Sequence, residues 1–102
     1  MKVGFKTKEL ERLYVIPLNE LKGKLKFSKE VIKQYQAKVR ILTIIDNLKD
    51  LYSIRSLNFE ALAGKRKGQY SIRLNKQFRL VIVEVEGDLM EIEIIEISKH
   101  YE

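Results

Sequence analysis

The hydrophobic residues of this chain change their spacing about two thirds of the way along it, which limits the folds it can adopt. Between Ser28 and Asp46 they recur every three or four residues, as on one face of an amphipathic helix. This stripe comprises Val31, Tyr35, Val39, Leu42 and Ile45. From Gly68 onward, apolar and polar residues alternate, which is typical of an antiparallel meander. Helices followed by a meander predict an α+β fold.

Local signals place the boundaries of the expected elements. Ser28 is a suitable N-cap for the long helix, and Asp46 or Asn47 for the short helix that follows. The segment 17–27 contains the only proline and a run of alternating lysines, and is predicted to be a loop. The expected order is a strand at 3–5, a helix at 8–14, this loop, a helix at 28–46, a short helix at 48–52, and strands at 70–74, 78–86 and 89–97.

Length and composition exclude several classes of protein. A chain of 102 residues is the size of one domain, so we expect residues 1–102 to form a single domain. The sequence has no apolar run long enough to span a membrane and no apolar signal-peptide core. It has no cysteine, which excludes disulfides and makes the reducing cytoplasm the expected location.

Charge is unevenly distributed along the chain. The net charge is +6, but 19 of the 20 basic and only 7 of the 14 acidic side chains precede residue 84. A basic surplus of this kind is typical of proteins that bind a polyanion, although many other domains share it. The glutamates of the last strands are expected either to be a solvated sheet edge or to leave a concentrated basic surface on another face of the molecule.

The predicted hairpin at 70–86 carries two arginines that are candidates for anion binding. If its loop is the three residues 75–77, Arg73 lies opposite Arg79, and such a like-charge pair is destabilising unless an anion binds there. A two-residue turn would separate the arginines. Alternatively, each arginine pairs with a glutamate of the meander.

A second basic motif directly precedes the hairpin. Gly64 and Gly68 flank the three cations Lys65, Arg66 and Lys67, and such a loop could approach a phosphate backbone. The spacing does not match a P-loop. A simply solvated charge run is the alternative interpretation.

The C-terminus supplies the only histidine, His100, which is followed by Tyr101. One histidine and no cysteine give no metal-ligand constellation. Imidazole is nevertheless the side chain best suited to proton transfer near neutral pH. Arginine, lysine, histidine and tyrosine together have the chemistry to cut RNA, since cations stabilise phosphate charge while histidine or tyrosine moves protons at the 2′-hydroxyl and the leaving oxygen.

The stretch 57–82, LNFEALAGKRKGQYSIRLNKQFRLVI, resembles the HigB branch of the RelE/ParE toxin superfamily. Those proteins read Leu-x-Gly-Asp-Arg-x-Gly-x-Tyr-Ser-Ile-Arg-x-Asn-x-x-Tyr-Arg-Leu here, so Arg66, Arg73 and Arg79 match recurrent arginines and Lys65 replaces an aspartate. Some members carry a histidine near the position of Glu60. Many end in Asp-Tyr-His, whereas this chain reads Lys99-His100-Tyr101.

The resemblance implies helices packed on a small twisted antiparallel β-sheet. It also implies a toxin of a type II toxin–antitoxin pair that cleaves mRNA on the translating ribosome without a metal or other cofactor. The expected partners are mRNA on the ribosome and a helix-turn-helix, HigA-like antitoxin, with no membrane. Two alternatives remain open: a gyrase-poisoning relative, and an inactive module that binds RNA or antitoxin.

The resemblance and the residue chemistry together assign the expected roles. Arg73 and Arg79 would bind the scissile phosphate, and His100 and Tyr101 would transfer protons. The RNA backbone would be contacted by Lys65, Arg66, Lys67 and Lys99.

Overall fold

A five-stranded sheet carries helices on one face in the computed structural model, which describes residues 1–87 and 91–99. The strands are β1 (Lys2–Phe5), β2 (Glu60–Ala61), β3 (Gln69–Arg73), β4 (Phe78–Glu84) and β5 (Glu91–Lys99). Their order across the sheet is β1-β5-β4-β3-β2. The three pairings from β2 to β5 are antiparallel, which confirms the predicted meander, whereas β1 lies parallel to β5 at one edge.

Two α-helices are capped by the residue types that favour helix starts. Helix α1 (Lys8–Val15) begins after Thr7, whose Oγ1 accepts a hydrogen bond from the Leu10 amide at 3.1 Å. Helix α2 (Lys29–Ile44) begins after Ser28, as predicted, and its Oγ accepts from the Val31 amide at 3.2 Å. The short helix expected next is a 3₁₀ helix, Leu48–Ser53, capped by Asn47. None of the helices described here is long and apolar enough to cross a membrane.

The hydrophobic core lies between the helices and one face of the sheet. The predicted stripe is buried at Val31, Tyr35, Val39 and Leu42, and the last three have no exposed surface. Its last member, Ile45, follows the end of α2 and is half-buried. On the sheet, Ile72, Leu80, Ile82, Ile92 and Ile94 are buried against the helices. Because side chains alternate along a strand, the residues between these face the opposite, open side of the sheet.

The Tyr35 hydroxyl links the two α-helices through a buried hydrogen bond. It donates a hydrogen bond of 2.7 Å to the Leu10 carbonyl of α1, and burial raises the pKa of the phenol above its ordinary value. The neighbouring Gln36 amide donates to the Leu13 and Ile16 carbonyls at 2.8 and 3.0 Å. These bonds fix α1 on α2 beneath the sheet.

Several boundaries differ from the sequence prediction, and β5 ends at Lys99 rather than Ile97. The segment 17–27 contains a 3₁₀ turn at Leu18–Glu20 and is otherwise irregular, α2 ends at Ile44 rather than Asp46, and β4 ends at Glu84 rather than Glu86. The short strand β2 was not predicted, because two residues are too few to show an alternation.

Replacing Tyr35 by phenylalanine should lower the free energy of unfolding by about 1 kcal/mol, because the buried hydroxyl bond to Leu10 is lost. Urea unfolding of the two proteins measures this difference. Tyr52→Phe is the control, since the Tyr52 side chain is 57% exposed and its change should stay within about 0.5 kcal/mol. Equal effects of both substitutions would show that the Tyr35 bond does not stabilise the core.

Candidate RNA-binding groove

An open groove of about 420 Å³ lies at the hairpin end of the sheet's open face. Its walls come from β2, from the β3–β4 hairpin and from Asn58, two residues before β2. The lining residues are Asn58, Glu60, Ser71, Arg73, Asn75, Lys76, Phe78 and Arg79. Both arginines singled out in the sequence therefore line one groove.

The hairpin register places Arg73 directly opposite Arg79. The loop has three residues, and the Leu74 amide donates to the Phe78 carbonyl at 2.9 Å. The Asn75 Oδ1 accepts bonds from the Gln77 and Phe78 amides, both at 2.8 Å, which fixes the turn. This geometry confirms the three-residue loop, and with it the cross-strand arginine pair that a two-residue turn would have separated.

The two arginines of the groove differ in their partners. Arg79 Nη1 lies 3.3 Å from Glu60 Oε1, and the Glu60 side chain is 52% exposed. Arg73 is exposed and forms no ion pair with any residue of the ranges 1–87 and 91–99. The alternative in which glutamates of the meander neutralise both arginines is therefore wrong: the one partner, Glu60, belongs to β2. Glu60 therefore neutralises one of the two guanidinium charges, and repulsion between Arg73 and Arg79 is only partly offset.

The glycine-flanked motif forms a 3₁₀ turn, Gly64–Arg66, beside this groove. Both glycines have positive φ, +64° at Gly64 and +93° at Gly68, so the backbone conformation there favours glycine. Arg66 donates to Gln69 Oε1 at 2.7 Å and forms a close ion pair with Glu96. Lys65 and Lys67 are exposed on either side of it.

A second cavity, of about 200 Å³, separates Arg66 from Arg79. Its other lining residues are Leu62, Ala63, Val81 and Ser98. Arg79 therefore lies between this cavity and the groove. The three family-matching arginines are brought onto one face of the sheet, whereas Lys65 and Lys67 do not line either cavity.

The glutamates of β5 share the open face with the arginines. Glu96 lies opposite Val81 and Glu93 opposite Val83, in the same alternation phase as Arg79. Glu84 has the opposite phase, and its carboxylate accepts from the Tyr70 hydroxyl at 3.1 Å, which raises the pKa of Tyr70. The expectation of a basic face separated from these acids is therefore wrong, because the alternation of β5 brings its glutamates beside the arginines.

The C-terminal candidates lie at or beyond the end of the described chain. Lys99 is exposed, pairs with Phe78 in the β4–β5 register and is not among the residues that line the groove. His100 and Tyr101 lie outside the described residues. Ser98, opposite Arg79, brings the end of β5 to the arginine pair.

Sequence reasoning missed several residues of the groove. Glu60 was noted only because some similar proteins carry a histidine near its position, and its ion pair with Arg79 depends on the unpredicted β2. Asn58, with φ of +46°, and Lys76 also line the groove. Within the described ranges, no group of histidine, cysteine or carboxylate side chains could hold a metal ion.

Comparison with known proteins agrees with this architecture. The family model described as "RelE-like toxin of type II toxin-antitoxin system HigB" matches residues 3–94. The chain belongs to this family. It is thus a HigB-like toxin of a type II toxin–antitoxin system, as the sequence motif indicated.

Solved structures confirm the fold of this HigB-like toxin. A YoeB/ParE toxin from Agrobacterium tumefaciens aligns with a TM-score of 0.58 and 17% identity, over 99% of this chain and 100% of that one. A chain of a YoeB–YefM complex from Staphylococcus aureus aligns with a TM-score of 0.59 and 23% identity, over 99% of this chain and 98% of that one. The YoeB dimer from the same organism gives 0.53 and 23%, with the same coverage. No curated protein matches the sequence.

Arg73→Gln should increase the free energy of unfolding of this HigB-like toxin by several tenths of a kcal/mol, because it removes the repulsion with Arg79. The gain should shrink at high salt, which screens exposed charges. Urea unfolding at low and high ionic strength measures both effects.

Arg55→Gln is the control, since Arg55 is exposed and lies outside the hairpin. A loss of stability in Arg73→Gln alone would mean that Arg73 supports the fold rather than straining it.

Proposed function

We propose that this HigB-like toxin is a metal-independent endoribonuclease that cleaves mRNA on the translating ribosome and arrests translation until an antitoxin binds it. The observation that carries this proposal is the cross-strand pair of Arg73 and Arg79 in an open groove, with Arg73 lacking an ion-pair partner in the described chain. Planar guanidinium groups bind phosphate oxygens in a bidentate manner, so such a pair suits one phosphodiester group.

The proposed reaction is attack of a ribose 2′-oxygen on the adjacent phosphorus. The new O–P bond closes a 2′,3′-cyclic phosphate as the bond to the 5′-oxygen of the next nucleotide breaks. The 2′-hydroxyl loses a proton, and the leaving 5′-oxygen gains one. Arg73 and Arg79 would stabilise the negative charge that develops on the phosphate oxygens, in place of a metal ion.

Glu60 is our candidate for the group that accepts the 2′-hydroxyl proton. Its carboxylate lines the groove and lies 3.3 Å from the Arg79 guanidinium, so a phosphate bound by Arg79 would lie beside it. Phosphate binding would also compete with Glu60 for Arg79. For the proton delivered to the leaving oxygen we retain His100 and Tyr101, on the family resemblance and the chemistry of their side chains.

The remaining basic residues would hold the RNA strand around the cleavage point. Lys65 and Lys67 are exposed on either side of Arg66 in the chain, and Lys99 lies at the end of β5. Arg66 is held by Glu96 and borders the second cavity. Contacts of this kind position the backbone without reading its sequence.

An antitoxin is the second proposed partner. One solved neighbour is a complex of the toxin YoeB with YefM. By analogy, a helix-turn-helix, HigA-like antitoxin would cover the basic groove of this toxin and exclude RNA. The proposed site of action is the cytoplasm, where translating ribosomes are found.

Expression of the toxin in growing cells, with mapping of transcript 5′ ends, tests the proposed activity. Wild type should give cuts at fixed positions within codons, and Arg73→Ala or Arg79→Ala should lower cleavage about 10²–10³-fold, because a phosphate-binding charge is lost. Glu60→Gln and His100→Ala should lower cleavage while leaving the protein folded. Lys49→Ala, on an exposed site away from the groove, should cleave like wild type.

Other outcomes would contradict the nuclease assignment. DNA damage without codon-linked cuts would indicate a gyrase-poisoning toxin. Neither cuts nor DNA damage, with folded protein, would indicate a module that only binds RNA or antitoxin. Full cleavage by both arginine variants would remove the groove from the mechanism.

A further inference from the structure

A cluster of cations lies outside the groove, on the segment between α1 and α2. Lys22, Lys24 and Lys26 alternate along this segment, and all three are exposed. Together with Arg12 they line a third cavity, of about 150 Å³, which contains one carboxylate, Glu9. In the described part of the chain, none of these lysines forms an ion pair. We call Lys22, Lys24 and Lys26 the lysine loop.

An aromatic pair joins the lysine loop to the groove. Phe27 lines the cavity of the loop and Phe78 lines the groove, and their rings meet edge to face with centroids 5.7 Å apart. The Lys26 ammonium lies 5.7 Å from the centroid of the Phe27 ring. Lys76, in the loop of the hairpin, also lines the groove. The two rings therefore connect the cavity of the lysine loop with the groove that the arginine pair lines.

The open face of the sheet and the lysine loop differ in how far their cations are neutralised by carboxylates. On the open face of the sheet, Arg66 and Arg79 each have a glutamate partner. The three lysines of the loop and Arg12 of α1 share a cavity with one carboxylate, Glu9, so this region has the larger unneutralised charge. Flexible ammonium groups act as point charges for phosphates, and contacts to phosphates carry no base information. This part of the surface therefore suits a backbone rather than a reacting group.

We propose that the lysine loop binds the phosphates of the RNA strand that continues out of the groove across Phe27 and Phe78. The proposal extends the proposed function, because the groove must first hold an RNA strand. An RNA backbone is favoured over an acidic protein because the contact between Phe27 and Phe78 joins the loop to the groove. Loss of the loop should weaken binding of long strands and spare short ones.

Uncleavable 2′-O-methyl RNA, labelled with fluorescein, separates the two regions, because a trinucleotide occupies the groove alone and a nonanucleotide extends past it. The test variant is Lys22→Gln/Lys24→Gln, which leaves the Lys26–Phe27 contact intact. The charge-matched control is Arg40→Gln/Lys49→Gln, whose first site is about 18 Å along α2 from Ser28 at ~1.5 Å per residue. Both control residues are exposed.

The loop variant should bind the nonanucleotide about tenfold more weakly than wild type at low salt, because two phosphate contacts are lost. Its slope of log affinity against log salt should be shallower by about 1.4, which is ~0.7 for each contact to a single strand. Trinucleotide binding should be unchanged, and so should both affinities of the control. Arg73→Gln should weaken binding of both probes.

Three results would overturn the proposal. These are equal losses in the loop variant and the control, an unchanged nonanucleotide affinity in the loop variant, and no binding of the nonanucleotide by wild type. Unchanged RNA binding with lost binding to poly-glutamate would assign the loop to an acidic protein partner instead. Transcript mapping reports on the proposed function separately: loop-dependent RNA binding by a toxin that makes no cuts would refute the nuclease assignment and retain the lysine loop as an RNA-binding surface.

Discussion

The register of the β3–β4 hairpin is the constraint on which the rest of the site depends. Arg73 lies between the buried Ile72 and Leu74, and Arg79 directly precedes the buried Leu80. A slip of one residue would exchange the two faces of a strand, exposing these apolar side chains and burying a guanidinium. The core therefore holds the arginines opposite each other despite their repulsion. The Asn75 turn fixes the same register from the end of the hairpin.

On the open face of the sheet, the arginine charges are partly neutralised by carboxylates from distant parts of the chain. Glu60 reaches Arg79 from β2, and Glu96 reaches Arg66 from β5. Exposed pairs of this kind contribute little to stability, so a bound phosphate could replace a carboxylate at small cost. Each glutamate thus occupies a position that an anionic ligand would also favour.

The sequence predicted the parts of the fold that depend on local patterns. The α2 stripe, the Ser28 cap and the meander each follow from the spacing of residues within one element, and all are confirmed. The groove was only partly predictable. The opposition of Arg73 and Arg79 follows from a loop length, which can be read from the sequence, whereas the contact of Glu60 with Arg79 spans 19 residues and passes through a two-residue strand. The β5 glutamates alternate with isoleucines as predicted, but their separation from the arginines was wrongly predicted, since net charge by segment contains no information about strand phase.

The same distinction between local pattern and distant contact applies to the lysine loop, which the sequence predicts only as a loop. Its alternating lysines have no helical or strand context, so their composition predicts only a solvated segment. The packing of Phe27 against Phe78 places these lysines near the groove, because it brings the segment that precedes α2 to the edge formed by β3 and β4. An aromatic contact between distant segments thus turns a compositional feature into a candidate binding surface. The arginines supply strongly directed charge where a phosphate would react, and the lysines supply diffuse charge where a strand need only be held.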